Sequence, residues 1–275
     1  MNWLKLLRHD LRCGLIRWRY LLIFPLSALP CIPCYTDAHL ANVSGTWMDY
    51  MLYCFKGSVP VTASPEMSLA LPIFWIMAMA GSLLLNLDYF LSDLTQAGQQ
   101  IMIRSKTRRG WYLSKCAWNL CSCILYMMLL CTSVLLFTLL SGGTVSLQST
   151  PNVMEIYLSE LTVEPTLLSG LPGFIAVVLM PLVTLMALNM LQMAVCLLVR
   201  PIIGFLISMA ILVLSVYCNV PFVLGNGAMA IRSALLVPGG ISPGFATLTS
   251  MAILLASAIL GAWKFQNTDI LGLEE

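Results

Sequence analysis

From Ala117 to Leu140 the chain runs for 24 residues without one charged side chain. An α-helix needs about 20 apolar residues to cross the hydrocarbon core of a bilayer. Within a bilayer only helices and closed barrels satisfy every backbone N–H and C=O. Similar runs recur at about Leu69–Phe90, Phe174–Val199, Ile202–Val220 and Phe245–Trp263, with a shorter one at about Tyr20–Tyr35. Charged residues make up 9% of the 275, and mean hydropathy is +0.89, whereas soluble domains carry about a quarter charged. The expected fold is all-α: one polytopic membrane domain over residues 1–275, with six transmembrane helices.

The charges orient those helices. The segment between the second and third runs, DLTQAGQQIMIRSKTRRGWYLSK, holds Arg104, Lys106, Arg108, Arg109 and Lys115. Short cytoplasmic loops of membrane proteins are enriched in Lys and Arg, so residues 92–115 are expected inside. Lys5, Arg8, Arg12, Arg17, Arg19, Arg200 and Lys264 then fall on the same side, leaving Lys56 and Arg232 outside. This accounts for all 14 basic residues. It predicts a multi-pass protein of the cell membrane with both termini cytoplasmic.

Residues 1–19 place Trp3, Leu4, Leu7, Leu11 and Ile16 roughly on one helical face, and Lys5, Arg8, Arg12 and Arg19 mostly on the other. That pattern predicts an interfacial helix whose basic face meets anionic lipid; the alternative is a plain basic flank of the first span. Basic residues continue to Arg19 without a small-residue cleavage site, so a cleavable signal peptide is not expected. Pro25, Pro30 and Pro33 predict a kinked first span. The polar loop 36–68 carries Trp47, Tyr50, Met51, Tyr53 and Phe55, which predicts partial folding against the outer membrane surface. In the loop 144–170, the stretch NVMEIYLSELTVE predicts a short amphipathic surface helix. Residues 221–243, PFVLGNGAMAIRSALLVPGGISP, are apolar but too rich in Gly and Pro to span. A pair of short re-entrant or surface helices on the outer side is expected there.

Candidates for chemistry are few. There is no GxxxxGK[ST] phosphate loop, no HExxH and no GxSxG. The two histidines, His9 and His39, lie far apart in the chain. An enzyme site, a metal site and a cofactor of this chain's own are therefore not expected, and the basic residues require no nucleic-acid partner. Polar residues inside apolar runs are the usual functional pointer in membranes. Here they are Asn86, Asp88, Asn119, Asn189 and Gln192. Asn189 and Gln192 share one helical face. Interhelical hydrogen bonding is one role for this group; Asn86, Asp88, Asn189 and Gln192 are also the candidates for a translocation path. Six of ten cysteines fall in or beside apolar runs and read as small apolar side chains. Cys31, Cys34 and Cys54 lie near the expected outer face, where a disulfide is open to them. Cys31-x-x-Cys34 also admits a redox or metal reading, which its apolar, Pro33-interrupted setting disfavours.

The basic segment has two readings. It holds the loop inside and binds lipid phosphate, or it docks a cytoplasmic partner. Gly98 with Gln99 and Gln100 marks a break in helix direction, and Ile101-Met102-Ile103 sets apolar contact beside the charges, which orientation alone does not require.

An amphipathic N-terminal helix leading into six spans, Asp93 and Gly98 followed by Arg108 and Lys115 in TRRGWYLSK, and a last span ending GAWKFQNTDIL together resemble the permease subunit of type 2 ABC transporters. These are the small bacterial permeases that work with a separate ATPase. The resemblance covers nearly the whole chain. It implies two permease chains, identical or homologous, above two ABC ATPase subunits that bind ATP and Mg. It implies that Gln99, Gln100, Ile101, Arg104, Ser105, Lys106, Arg108 and Arg109 form the coupling helix seated in the ATPase, and that residues 1–19 form an elbow touching it. Residues 221–243 would be the re-entrant hairpin near the exit. The expected function is ATP-driven export, with a cargo that the weakly polar spans suit: an amphipathic peptide, such as an antimicrobial peptide, or a lipid-like compound. The competing readings are a non-transporting membrane anchor or sensor subunit that docks a cytoplasmic partner, and an intramembrane enzyme.

Overall fold

The computed structural model describes residues 3–15, 18–59, 71–92, 108–158, 166, 169–199 and 201–267. The chain is all-helical, with no strand among the described residues beyond isolated bridges. In order, the α-helices are α1 (Trp3–Leu15), α2 (Ile23–Ala28), α3 (Cys31–Leu40), α4 (Trp47–Phe55), α5 (Ile73–Ser92), α6 (Arg108–Leu140), α7 (Pro151–Tyr157), α8 (Gly170–Phe174), α9 (Met180–Cys196), α10 (Pro201–Tyr217) and α11 (Pro243–Asn267). Among the described residues, four stretches are long and apolar enough to cross a membrane: Trp18–Leu40, Arg109–Leu140, Gly170–Cys196 and Pro243–Gln266. Ile73–Leu87 and Pro201–Tyr217 are shorter apolar helices.

The expected kink in the first apolar stretch occurs at proline, and a further irregularity adjoins Pro181. The stretch Trp18–Leu40 is a 3₁₀ turn (Trp18–Leu22), then α2, then α3, with the joint at Leu29-Pro30. In the stretch from Gly170, five residues of π-helix (Ile175–Leu179) precede Pro181 in α9. Proline supplies no N–H and crowds the carbonyl one turn back, and the wider π turn lets the backbone absorb the change. Helix α6 ends at Gly142, whose φ of 74° takes the left-handed conformation that closes a helix.

Helix α9 is the centre, packed against α5, α6, α10 and α11. Trp75, Met79 and Leu83 of α5, Tyr126 and Leu130 of α6, and Leu185 and Leu188 of α9 are buried there. Helices α10 and α11 expose Ile202, Leu206, Leu214, Leu248, Leu255 and Ile259 on the opposite side. Such surfaces suit acyl chains rather than water.

Parts of two segments expected at the outer face, the polar loop 36–68 and residues 221–243, pack into the protein. Helix α4 lies in the core, not on a surface: Met48, Asp49, Tyr50, Met51, Leu52, Cys54 and Phe55 are all buried. Its start is a capping box. Asp49 Oδ2 accepts from Thr46 N at 2.8 Å, and Thr46 Oγ1 accepts from Asp49 N at 3.3 Å. The second carboxylate oxygen accepts from Thr150 N at 2.9 Å, so this buried anion also ties down α7. Helix α7 covers the first part of the stretch expected to be amphipathic, with Val153 and Met154 buried and Glu155 and Ile156 exposed; residues 159–164 lie outside the described residues. The other segment, residues 221–243, forms two 3₁₀ turns, Leu224–Ala228 and Ala230–Arg232. They sink between the helices at the end of the bundle away from α1. Trp75 Nε1 donates to Ala228 O at 3.2 Å.

Arg232, expected as one of two basic residues on the outer side, is 3% exposed. Its guanidinium donates to Ser58 O (3.0 Å), Ser58 Oγ (3.2 Å), Ser215 O (2.6 Å), Val216 O (2.7 Å) and Asn226 Oδ1. Arginine has five N–H donors, and all five are met by neutral oxygens. Two belong to the last turn of α10, where a cation meets the negative end of the helix dipole.

Candidate functional site

The base of α6 is where sequence-level motifs and packing coincide. The basic segment was expected to run to Lys115 and the span to begin at Ala117. Instead, α6 already starts at Arg108 and continues for 33 residues, a rod of about 50 Å at 1.5 Å per residue. Its first turns therefore belong to both the basic segment and the bundle. Lys115 is not a loop cation. It is buried, with Nζ 2.7 Å from Asp10 Oδ1 on α1, and both side chains are 1% exposed. Ser114 Oγ donates to Asp10 Oδ2 at 2.5 Å, and Lys115 Nζ sits 5.0 Å from the centroid of the Trp111 ring, within cation–π range.

The spacing of α1 explains the docking. Leu6, Asp10 and Gly14 recur every fourth residue, share one face and are buried, while Lys5, Arg8, His9 and Arg12 are exposed. The amphipathic helix is present, but its inward face is this row; Leu7 and Leu11 lie half-buried beside it. Gly14 lets α1 approach α6, because a Cβ there would collide with the Trp118 indole. The end of α11 completes the platform. Phe265 stacks on Trp111 with centroids 4.8 Å apart, and Arg109 Nε donates to Gln266 Oε1 at 3.0 Å. Gly261 makes room for the Tyr112 hydroxyl in the same way.

A second cluster lies deeper. Asn86 Nδ2 donates to Asn189 Oδ1 at 2.7 Å, joining α5 to α9. Asn189 Nδ2 donates to Ser82 Oγ at 3.1 Å and to Leu185 O at 2.9 Å. Ser122 Oγ donates to Asn86 Oδ1, and shares a 2.7 Å hydrogen bond with the Tyr20 hydroxyl. Asn119 Nδ2 reaches Asn189 O at 3.3 Å, and Gln192 Nε2 donates to Leu83 O at 2.9 Å. Tyr20, α5, α6 and α9 are thus stitched together by amides and hydroxyls, as buried polar groups in membranes require. Asn86, Asn119, Asn189 and Gln192 also line a cavity of about 10 Å³.

Of the path candidates, Asn86, Asn189 and Gln192 come together here; Asp88 lies on α5 and its side chain is outside the described residues. Of the coupling candidates, Gln99, Gln100, Ile101, Arg104, Ser105 and Lys106 lie outside the described residues. So does the side chain of Arg108, while Arg109 is exposed at the platform. Sequence reasoning passed over Asp10, Ser82, Ser114 and Ser122. Asp10 carried a signal, as the only acid before Asp37. Cys31, Cys34 and Cys54 are buried, and among the described residues no group of three or more His, Cys, Asp or Glu is placed to hold a metal.

A family model described as a protein of unknown function (DUF2705) matches residues 39–271. No curated protein and no solved structure matches the chain.

Proposed function

The chain belongs to the DUF2705 family, and we propose that it is the membrane-spanning permease subunit of an ATP-driven exporter of the type 2 ABC class. In this reading the four long apolar helices and the two shorter ones make six passes with both ends cytoplasmic, as the distribution of basic residues favours. Helix α1 is the elbow, residues 92–115 dock a separate ATPase that holds ATP and Mg, and residues 221–243 are a re-entrant element near the exit. A second permease chain completes the path, and the cargo is an amphipathic peptide or lipid-like compound. The observation that carries the reading is the Asp10–Lys115 ion pair. It fastens the amphipathic helix to the rod that emerges from the basic segment, so force applied to that segment reaches α1 and α6 together.

The test is co-purification with an ABC ATPase from the same genome, using Arg104→Glu with Arg108→Glu. Loss of assembly and of stimulated ATP hydrolysis is expected; unchanged assembly and hydrolysis overturn the proposal. A second reading, a non-transporting anchor or sensor, is favoured by the tight polar cluster, which leaves only about 10 Å³ between its side chains. Cargo movement in vesicles holding the reconstituted complex separates the two.

A further inference from the structure

We propose that the cavity between α5, α6 and α9 holds one ordered water molecule, bound by Gln192. The proposal does not depend on transport activity. Gln192 is 3% exposed. Its Nε2 donates to Leu83 O, but its Oε1 has no hydrogen-bond donor among the described residues. A buried amide oxygen left without a donor costs about 1–3 kcal/mol, and more so where bulk water is absent. The cavity that Gln192 shares with Asn86, Asn119, Asn189, Met193 and Cys196 measures about 10 Å³. That is close to the space one water needs, and such waters are held by two to four polar partners.

The chemistry of the lining selects water over an ion. The site offers donors as well as acceptors. Asn119 Nδ2 has only long contacts, 3.3 Å to Asn189 O and 4.0 Å to Met193 Sδ. Asn119 Oδ1 accepts only from the Cys123 thiol, at 3.8 Å. A water donates to Gln192 Oε1 and accepts from Asn119 Nδ2 at once, whereas a cation is repelled by amide N–H groups. No carboxylate is among the described residues lining the cavity. Such a water joins the unmet Gln192 Oε1 to the weakly bonded Asn119 amide.

The test is solid-state NMR of the full-length, ¹⁵N-labelled protein in lipid bilayers, reading magnetisation transfer from water to side-chain amides. Transfer to the Asn119 and Gln192 amides is expected in the wild-type protein, with loss of the Asn119 signal in Gln192→Met. Absence of transfer in the wild type, which needs no variant to fold, overturns the proposal. So does transfer to Asn119 that persists in Gln192→Met, and so does a signal that appears only with sodium or potassium present.

Discussion

Lys115 and Asp10, 105 positions apart, form a buried ion pair with Nζ 2.7 Å from Oδ1. Removing one partner leaves the other charged in a dry site, which costs about 3–5 kcal/mol. Asp10→Asn and Lys115→Met are each expected to lower the thermal unfolding midpoint of the purified protein strongly. Asp10→Leu combined with Lys115→Met is expected to cost less than the sum of the singles, because two apolar side chains leave no unpaired charge. A double-mutant cycle on the unfolding midpoint checks this.

Arg232 depends on the geometry of its side chain. Lysine has three donors on one atom and cannot reach five separate oxygens. Arg232→Lys is expected to destabilise by about 1–3 kcal/mol through carbonyls left unmet. Limited trypsin digestion gives the second readout: the wild-type protein resists cutting after residue 232, and the lysine variant is cut there.

Gly14 and Gly244 make a matched pair. A methyl group at Gly14 meets the Trp118 ring, whereas one at Gly244 meets nothing within 4 Å. Gly14→Ala is expected to cost about 1–3 kcal/mol by overpacking. Gly244→Ala is expected to be neutral or slightly stabilising, since alanine favours helix. Unfolding of the two variants side by side distinguishes a close approach from a general loss of glycine.

Asn189 bonds to α5 through both Asn86 and Ser82, while Thr132 is exposed and bonds only to Met128 O of its own helix. Interhelical hydrogen bonds in membranes average about 0.6 kcal/mol. Asn189→Leu is therefore expected to cost about 1–2 kcal/mol before packing changes, and Thr132→Val close to nothing. Thermal unfolding in one detergent ranks them.

The proposed orientation is open to chemical labelling. Cys13 is exposed, and Cys31, Cys34, Cys54, Cys116, Cys123 and Cys196 are buried. A membrane-impermeant maleimide is expected to modify Cys13 only after the inner face is opened, with Cys13→Ser removing that signal. Labelling of Cys13 in sealed cells places α1 outside and reverses the orientation.

The helical class and the long apolar stretches were legible because uncharged runs leave a bilayer chain few alternatives. The kinks in Trp18–Leu40 were legible in Pro25, Pro30 and Pro33, whose chemistry is local. The polar cluster was half legible: Asn86, Asn189 and Gln192 stood out against apolar neighbours, but Ser82 and Ser122 look ordinary anywhere. The Asp10–Lys115 pair was hidden because each residue reads alone as part of a basic flank. Thr46 and Asp49 held a capping signal for α4, yet the aromatic content around them suggested a surface rather than a core. The burial of Arg232 was hidden for a different reason: four of its five acceptors are backbone carbonyls or a serine hydroxyl, which leave no trace in composition.

Those neutral acceptors have a consequence for acid tolerance. Burial pulls the Arg232 pKa down to about 10, still far above neutral pH. A lowered folded-state pKa means that any pH dependence from this group is confined to strongly alkaline conditions, where stability rises with pH. Below about pH 9 both states hold the proton, and the contribution is flat. None of its partners titrates, so acidification finds nothing there to neutralise. The fastening of residues 221–243 to the end of α10 should hold as firmly at pH 5 as at pH 7.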